Sequence, residues 1–379
     1  MTAVAHEERT DSLDEAELEA LRESVAGMLA EECNSRAVHL WLDRENELGP
    51  VIWRQAADLG WLALALPEAD GGLGLGARGL TLLNRELGAR TAPGPFLPTL
   101  CVAQWLSRVG SEAQRAELVA GAATGEHSFA LPAILEGIGR LALVDGKVSG
   151  EIQVLGTADA TFALVPASDG GAAAWAVVRI ADGTASLEPC ESWDLTREVF
   201  QLRCNNAPTV ALISDADGTA GLLLGSYVAV AIAADSLGAA DNIAHKTVDY
   251  LKERVQFDRP IGSFQALKHR AADLIGKITT QDALLEQAVQ SLDGGSPDAA
   301  MWARLAKAGA TEAFAFVAAD CIQLHGGVGH TWEYDPHIYI KRARLNEALL
   351  NNNRALRDTA VQLLDRALGE GRTTTELNS

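Results

Sequence analysis

The spacing of apolar residues along this chain changes character twice. In residues 1–125 they recur at intervals of three and four, which is typical of amphipathic helices. Ser12 and Glu15 have the spacing of a capping box and predict where the first helix begins. The apolar face of this helix is Leu18, Leu21, Val25, Met28 and Leu29. Further helices are predicted at 51–62, 79–87, 99–109 and 111–120.

Between residues 126 and 220 the apolar runs become short, and Asp-Gly pairs separate them. Asp-Gly is a dipeptide that tight hairpin turns favour, so this region is predicted to be an antiparallel β domain. The runs are 161–165, 172–178, 199–202 and 209–213. The Asp-Gly pairs are Asp145-Gly146, Asp182-Gly183 and Asp217-Gly218.

From residue 221 the helical spacing returns and continues towards the C-terminus. The predicted helices are 222–254, 264–292, 297–325 and 338–368. An order of helices, strands and helices predicts an α+β fold, which we divide into domains at 1–125, 126–220 and 221–379. The uncharged run 219–234 is short for a membrane span and is typical of a buried core helix.

Composition excludes several classes of function. The 379 residues carry 31 Lys and Arg against 51 Asp and Glu, a formal charge of -20, which argues against binding nucleic acid or an anionic membrane. No apolar segment typical of a signal peptide lies in Met1–Asp14, so a cytoplasmic protein is expected. The five cysteines are scattered, and His325, His330 and His337 lack the spacing of metal ligands, so neither a disulfide framework nor a metal site is predicted.

Two segments carry candidate chemistry. In 253–269, Arg254 is predicted to end a long helix just before a turn formed by Pro260 and Gly262. An arginine in that place can bind a phosphate with two parallel hydrogen bonds. In 321–333, a helix runs into a glycine-rich loop, where missing side chains at Gly326, Gly327 and Gly329 would let a ligand approach the backbone. On the residues alone, the alternative stays open that Arg254 only makes an ion pair and that the glycines only end a helix.

Both segments resemble the two C-terminal signatures of the acyl-CoA dehydrogenase family. The stretch 59–74, the order of helices and strands, and the chain length resemble the same family, so the resemblance covers nearly the whole chain. It implies an N-terminal helical domain, a middle β domain and a C-terminal four-helix bundle. It also implies FAD as the cofactor and the α,β-dehydrogenation of an acyl-CoA thioester, in which a Glu takes the α-proton.

In that family the C-terminal signatures hold the adenosine diphosphate half of the FAD of a neighbouring subunit. Carried over by position, Arg254 contacts the pyrophosphate. The residues implied to line the path of the cofactor are Gln256, Phe257, Phe264 and Gln265. The residues implied to meet its adenine and ribose are Gln323, Leu324, His325, Gly326 and Gly327.

The catalytic base of the family has no counterpart here. Its Glu usually lies in a Tyr-Glu-Gly-Thr segment, and alignment without gaps from Gly326 places Leu350 at that Glu. Some members place the Glu on the helix before the first signature, where this chain has Val228. Neither side chain can take a proton. Glu347, three residues before Leu350, remains a candidate for a displaced base, although a solvated helix carboxylate is the ordinary interpretation.

The middle domain also departs from the family. Members carry a Thr-Glu-Pro…Gly-Ser-Asp stretch and a Trp-x-Thr segment that cradle the isoalloxazine ring, and this chain differs at 130–139 and 154–160. Thr157 is either a hydrogen-bonding partner for a flavin or a plain turn hydroxyl.

The resemblance therefore implies a chain that keeps the half-site it lends to a neighbour and lacks the half-site it would use itself. The leading hypothesis is the base-lacking subunit of an α2β2 acyl-CoA dehydrogenase of the actinobacterial steroid side-chain type. A homologous subunit, an acyl-CoA substrate and an electron-transfer flavoprotein are its expected partners. The alternatives are a homotetrameric acyl-CoA dehydrogenase that uses Glu347, a flavin monooxygenase or oxidase of the same fold, and a structural partner without a role in the site.

Overall fold

The computed structural model describes residues 13–137, 139–180 and 183–372. The first part of the chain is helical up to Ala123, as the apolar spacing predicts. Its helices are α1 (Glu15–Glu32), α2 (Ser35–Leu42), α3 (Leu48–Asp58), α4 (Gly76–Ala89), α5 (Phe96–Val109), α6 (Glu112–Gln114) and, after a π-helical turn at Arg115–Val119, α7 (Ala120–Ala123).

The capping box of α1 lies two residues later than the predicted one. Asp14 is the N-cap: its carboxylate accepts a hydrogen bond from the backbone N–H of Glu17, and the Glu17 side chain accepts one from the N–H of Asp14. Ser12 with Glu15 and Asp14 with Glu17 have the same spacing, so spacing alone does not show which pair forms the capping box. Ser12 lies outside the described residues.

The strands of the middle region close into a barrel. β1 pairs with both β3 and β4, and β3, β7, β5 and β4 pair in turn, so the sheet returns to its beginning. The pairings β1–β4 and β2–β4 are parallel and the others are antiparallel. Apolar side chains of the barrel form a cluster of their own. The strands are β1 (Phe129–Pro132), β2 (Leu141–Val144), β3 (Lys147–Gly156), β4 (Phe162–Asp169), β5 (Ala172–Arg179), β6 (Ala185–Pro189) and β7 (Glu198–Ser214).

The short runs predicted at 199–202 and 209–213 belong to one strand, β7, which is long enough to pair with β3, β5 and β6. The turn predicted at Asp145-Gly146 is confirmed. Val144 pairs with Lys147, and both turn residues have positive φ, which is the geometry of a two-residue hairpin that follows the strand twist. Part of the Asp182-Gly183 turn lies outside the described residues.

The C-terminal region is helical again, apart from a small hairpin after its first helix. α10 packs against its four helical neighbours, which makes it the centre of this region. The elements are α8 (Thr219–Glu253), β8 (Val255–Gln256), β9 (Arg259–Pro260), α9 (Gln265–Asp293), α10 (Ala299–His325), α11 (Pro336–Ala348) and α12 (Asn353–Gly369).

Helix α8 is long and apolar enough to cross a membrane by length and composition, but 83% of its most apolar 18-residue window is buried inside the protein. It is the core helix that the uncharged run predicts. The order of helices, strands and helices is also as predicted. The division at 1–125, 126–220 and 221–379 remains our proposal; its second limit falls on the second residue of α8.

The single helix predicted at 338–368 is wrong. The chain forms two helices, α11 and α12, with a break at 349–352. Leu350 has a φ of 69°, which a helix interior does not allow, and the side chain of Asn352 caps α12 by accepting a hydrogen bond from Ala355 N–H. The apolar spacing continues through the break, so periodicity does not reveal it.

A buried polar cluster joins the barrel to two C-terminal helices. Arg197, at the start of β7, donates hydrogen bonds to Asp235 on α8 (2.7 Å) and to Asn346 on α11 (2.6 Å). Asn346 in turn donates to the second carboxylate oxygen of Asp235 at 2.7 Å. Burial, with the neighbouring Arg342, lowers the pKa of Arg197 to about 10, and the charge of Asp235 opposes this shift. The cluster sets the barrel at a defined position on the helices.

Candidate functional site

The first candidate segment folds as a tight hairpin at the end of α8. Val255 pairs with Pro260 and Gln256 with Arg259, so the turn is Phe257-Asp258. Both turn residues have positive φ. The turn nearest Arg254 is therefore this hairpin turn, which the sequence did not predict, and Pro260 and Gly262 belong to the 3-10 turn at Ile261–Ser263 that follows it. The turn carries Phe257 out into solvent, where it is 86% exposed.

The tertiary structure brings the two candidate segments together through an aromatic contact. The ring of Tyr250, one turn before the end of α8, stacks on the ring of His325 at the end of α10, with centroids 4.3 Å apart. The Tyr250 hydroxyl also donates to the His325 carbonyl at 3.3 Å. Arg254 follows one turn later, and its N–H bonds to the Tyr250 carbonyl. Burial lowers the pKa of His325, which keeps this ring neutral in the stack.

The glycines after α10 have two different roles. A Cβ built on Gly326 or Gly327 would meet no atom within 4 Å, so both leave open space beside the backbone. Gly326 also has a φ of 67°. A Cβ on Gly329 would instead lie 2.6 Å from the Ile322 carbonyl oxygen, so that glycine serves close packing. Open backbone at Gly326 and Gly327 is what a ligand needs in order to approach closely.

The carboxylate of Asp335 binds the loop after these glycines to two helices. Asp335 accepts hydrogen bonds from Ser35 and His39 on α2, at 2.5 and 3.1 Å, and from Lys246 on α8, at 2.7 Å. Burial alone would raise the pKa of Asp335, but the Lys246 charge and these hydrogen bonds lower it. The backbone around Gly326 is thus positioned by contacts on both sides.

The other residues implied for cofactor binding divide by exposure. Leu324 is buried, so its side chain belongs to the core, whereas Phe264 is half-buried and lies under the guanidinium of Arg259 at 4.0 Å. The exposed members of the set are Arg254, Gln256, Phe257, Gln265, Gln323, Gly326 and Gly327.

The two positions at which the family resemblance expects a catalytic Glu lie in the core. Leu350 is 1% exposed and Val228 is 3% exposed. A Cβ built on Gly225, one turn before Val228 on α8, would lie 3.8 Å from a methyl group of Leu350 and 3.0 Å from the guanidinium of Arg304. Residues 349–353 read Leu-Leu-Asn-Asn-Asn, so a shift of one or two positions brings no carboxylate to this place.

Backbone hydrogen bonds close the break between α11 and α12 onto the end of β1. Leu350 N–H donates to the Ala133 carbonyl at 2.8 Å, and Leu135 N–H donates to the Leu350 carbonyl at 2.9 Å. Leu350 thereby forms a parallel bridge with Ile134. We call this pairing of 133–136 with Leu350 the closure. It joins the segment that follows β1 to the segment between α11 and α12.

Two cations on one face of α10 hold the closure in place. Arg304 binds the carboxylate of Glu136, with its Nε 2.6 Å from Oε1, and is 1% exposed. Lys307, one turn later, donates to the carbonyls of Glu347 and Asn351, both at 2.9 Å. Burial lowers the pKa of Lys307 to about 7, although nearby carboxylates oppose the shift.

Sequence reasoning missed Arg304, Lys307 and Glu136. A signal exists in the chain: Arg304 and Lys307 stand three residues apart in the otherwise apolar stretch 299–310. Two cations on the buried face of a helix need acceptors from elsewhere in the fold. Nothing in the local sequence identifies those acceptors as Glu136 and the carbonyls around Leu350.

The candidate displaced base lies away from the closure. The carboxylate of Glu347 pairs with Arg344 on the same helix at 2.6 Å. It lines a groove of about 450 Å³ together with Arg270, Asp320 and Gln323, on the side of the second candidate segment. The groove that Glu347 lines therefore contains one residue implied to bind the cofactor, Gln323, and does not contain Leu350.

Neither interpretation of Thr157, as a hydrogen-bonding partner for a flavin or as a plain turn hydroxyl, describes it fully. Its carbonyl accepts the turn hydrogen bond from Ala160, but its hydroxyl is buried and has no hydrogen-bond partner. It lines a cavity whose opposite wall comes from α2 and α3. In residues 13–137, 139–180 and 183–372, no three His, Cys, Asp or Glu side chains are arranged to hold a metal ion.

Comparison with known proteins defines the class of this protein. The family model "Acyl-CoA dehydrogenase, N-terminal domain" matches residues 15–126, and "Acyl-CoA dehydrogenase, C-terminal domain" matches residues 227–359. Acyl-CoA dehydrogenase IpdE2 of Mycobacterium tuberculosis is 34% identical over 342 residues, which cover 89% of this chain and 94% of that protein. The chain therefore belongs to the acyl-CoA dehydrogenase family, a family of FAD-dependent oxidoreductases.

Solved structures agree with this assignment. The Tcur3481–Tcur3483 steroid ACAD variant is similar with a TM-score of 0.85 and 27% identity, covering 93% of this chain and 99% of that one. The ChsE4–ChsE5 complex from Mycobacterium tuberculosis is similar with a TM-score of 0.81 and 26% identity, covering 95% of this chain and 99% of that one. An acyl-CoA dehydrogenase complexed with FAD from Bacillus anthracis shares the fold. Its TM-score is 0.85 at 17% identity, and the match covers 95% of this chain and 70% of that one. The predicted family, fold class and cofactor FAD are confirmed.

Proposed function

We propose that this chain is the base-lacking subunit of a heteromeric acyl-CoA dehydrogenase and lends a clamp for the adenosine diphosphate half of FAD to a homologous partner. The contrast between its two half-sites carries the proposal. Arg254, Gly326 and Gly327 lie on the surface with open space around the glycines. The position of the base is filled by Leu350, which is 1% exposed and hydrogen-bonded into the closure.

The clamp residues suit the chemistry of a pyrophosphate. The Arg254 guanidinium makes no ion pair or hydrogen bond among the described residues, so its N–H groups are available to phosphate oxygens. Gly326 and Gly327 let a ligand reach backbone N–H and carbonyl groups. In one of the two segments that the resemblance assigns to this chain's own flavin cradle, residues 133–136 are paired with Leu350.

The partner then supplies what this chain lacks. FAD, when bound, would supply the hydride acceptor for dehydrogenation of the acyl thioester, and a carboxylate would be needed to take the α-proton. In our proposal that carboxylate and the isoalloxazine cradle belong to the homologous subunit. An α2β2 assembly on this plan holds one FAD for every two chains.

The substrate class is proposed from the relatives. Solved structures described as a steroid ACAD and as the ChsE4–ChsE5 complex resemble this chain over more than nine-tenths of its length. We infer a bulky acyl-CoA thioester, such as a steroid side chain, an electron-transfer flavoprotein as acceptor, and a cytoplasmic location.

The test is the FAD content of the chain co-expressed with a homologous partner. We expect one FAD per two chains, and we expect Arg254→Ala to weaken FAD binding about tenfold or more, since a charge-assisted phosphate contact is lost. Arg354→Ala is the matched control, because Arg354 is exposed on α12, away from the clamp. Full retention of FAD by Arg254→Ala would favour a structural partner with no role in the site.

The homotetrameric alternative has its own test. If the chain purifies alone with one FAD per chain and oxidises an acyl-CoA, the heteromeric proposal is wrong. Glu347→Gln then decides whether Glu347 is the displaced base: turnover would be lost while FAD stays bound. Consumption of oxygen by the reduced flavin would instead favour a monooxygenase or oxidase.

A further inference from the structure

The loop 331–335 lies between the clamp and α11. Its Tyr334 ring packs edge-on against both rings of the stack that joins the two candidate segments. The centroid of Tyr334 lies 6.1 Å from that of Tyr250 and 6.0 Å from that of His325. Gly326 directly follows His325 in the chain. The position of this loop is therefore coupled to the position of the clamp backbone.

A buried histidine holds the loop at its other end. His337, in the first turn of α11, is 7% exposed, and its ring stacks on that of Trp332 with centroids 4.9 Å apart and 18° between the ring planes. The ring of His39 on α2 meets both rings edge-on, with centroids 5.9 Å from His337 and 5.6 Å from Trp332. The three rings fix the loop between α2 and α11.

The two histidines of this cluster differ in their hydrogen-bonding partners. His39 Nε2 lies 3.1 Å from a carboxylate oxygen of Asp335, so a proton on this ring has an acceptor. His337 Nε2 is buried and has no partner among the described residues, so a proton there has no acceptor. A buried charge without an acceptor is costly, and the packing therefore favours a neutral His337.

The other charged groups of this region do not change that conclusion. They are Asp43 on α2, Lys246 on α8, Glu333 in the loop, and Asp335 and Lys341 on α11. Asp335 already accepts from three donors, Asp43 accepts from the indole N–H of Trp332 at 3.4 Å, and Glu333 is exposed. Lys341 adds positive charge, with its Nζ 5.4 Å from the centre of the Trp332 ring.

The titration of His337 agrees with its surroundings. Burial, followed by the charges of Lys341 and His39, lowers the pKa of His337. A hydrogen bond to the Trp332 backbone and the charge of Asp335 oppose this shift without cancelling it. Because the folded pKa lies below the ordinary value of histidine, the closed loop is most stable above that ordinary value. Its stability is lost as the pH falls towards the folded pKa.

We propose that His337 is a positioning residue for the clamp: its neutral ring holds the loop 331–335, and its protonation in mild acid releases the loop and speeds the loss of FAD. This inference rests on the proposed clamp. When the loop opens, water supplies the acceptor that Nε2 lacks in the packed structure, so the charged ring favours the open loop. Tyr334 then leaves the stack beside Gly326, and the clamp backbone loses its support on that side.

The first test compares wild type with His337→Phe by hydrogen exchange in the complex, at about pH 7.5 and about pH 5.5. Phe keeps the stack, takes no proton, and places carbon where Nε2 has no partner. The amides of Thr331 and Ile338, which bond to the carbonyls of Val328 and Asp335 at 3.0 and 2.8 Å, report on the loop. On acidification, the opening equilibrium of wild type should rise about fivefold more than that of His337→Phe.

His337→Gln is a second variant, in case the Phe variant folds poorly. Its amide is also unable to take a proton, so its loop should respond to acid as that of His337→Phe does. An equal response to acid in wild type and in whichever of the two variants folds would overturn the proposal.

The second test is the rate of FAD release from the complex, followed by flavin fluorescence after dilution. On acidification, release from wild type should accelerate about fivefold more than release from His337→Phe, because FAD leaves through the open loop. His245→Phe, at an exposed histidine on α8, should follow wild type. Since His325 and Lys307 also titrate, wild type and variants are compared at each pH.

The outcomes separate this inference from the proposed function. If Arg254→Ala retains FAD fully at about pH 7.5, the clamp itself is wrong. If Arg254→Ala loses FAD while wild type and His337→Phe release it with the same pH dependence, the clamp stands and the role of His337 is wrong. Retention of FAD by His337→Phe in acid that exceeds retention by wild type supports the proposal, since damage to the fold would have the opposite effect.

Discussion

At the scale of single residues, the positions that distinguish the two proposed half-sites differ mainly in burial. Gly326 and Gly327 leave space at the surface, whereas Val228 and Leu350 fill space in the core. Sequence reasoning finds all four positions, since the resemblance to the family aligns them. It cannot show that Leu350 is hydrogen-bonded to Ala133, because the two residues are more than two hundred positions apart.

The two clamp glycines allow a paired test. Gly326→Ala introduces a Cβ at a φ of 67°, so we expect the complex to lose about 1–2 kcal/mol of stability. Gly327→Ala adds a methyl group in open space without that backbone strain, so stability should hold while FAD binding weakens. Urea unfolding and FAD titration measure the two effects. If Gly327→Ala binds FAD normally, the cofactor does not approach this backbone.

Lys307 makes stability depend on pH. Its folded pKa of about 7 lies below the ordinary 10.5, so between these values the unfolded chain holds a proton that the folded chain has released. Stability therefore rises with pH through this window. Relative to Lys307→Met, wild type should gain about 1–2 kcal/mol between about pH 7 and about pH 8.5. Urea unfolding at both pH values measures this gain, and Lys268→Met, an exposed lysine on α9, should follow wild type. Parallel profiles for wild type and Lys307→Met would contradict the assignment.

At the scale of elements, α10 is what holds the closure. Its inward face carries Arg304 to Glu136 and Lys307 to the carbonyls around Leu350, so one helix binds both segments of the closure. The apolar spacing predicts this helix correctly but does not predict the break at 349–352. That break depends on hydrogen bonds to β1, which is a tertiary interaction.

The Arg304–Glu136 pair should be much more important for stability than an exposed pair. Arg304→Met leaves Glu136 unpaired and should cost about 3 kcal/mol, whereas Arg357→Met, which removes the exposed pair with Glu312, should cost about 1 kcal/mol or less. The double variant Arg304→Met with Glu136→Leu should recover part of the loss.

Hydrogen exchange gives an independent measure of the same element. The amides of Leu135 and Leu350 should exchange faster in Arg304→Met than in wild type, because the closure opens more often. Equal exchange rates in the two proteins would show that Arg304 does not hold the closure.

At the scale of the whole molecule, the charge of -20 states little about the ligand. Arg254 is a local cation in an acidic protein, and its position at the junction of α8 and the hairpin matters more than the total. The buried cluster of Arg197, Asp235 and Asn346 joins the barrel to the helices, so the clamp and the closure belong to one rigid arrangement.

If FAD bridges the two kinds of subunit, it should also stabilise their association. Removal of FAD from the complex should raise the dissociation constant of the subunits, since a ligand that contacts both chains favours the assembled state. Sedimentation velocity across a dilution series, with and without added FAD, measures this change. The Arg254→Ala complex should respond less to FAD than the Arg354→Ala complex. A dissociation constant of the subunits that does not change with FAD in either complex would contradict a shared cofactor.

The sequence by itself determined the order of helices and strands, the core helix α8 and the family, and it supplied the predicted positions of a clamp and of an absent base. These follow from local periodicity and from motifs in which neighbouring residues act together. Only the tertiary structure decided that the hairpin turns at Phe257-Asp258, that Tyr250 joins the two candidate segments, and that Arg304 and Lys307 hold the closure. Those features depend on partners distant in the chain, which hydrophobic spacing does not encode.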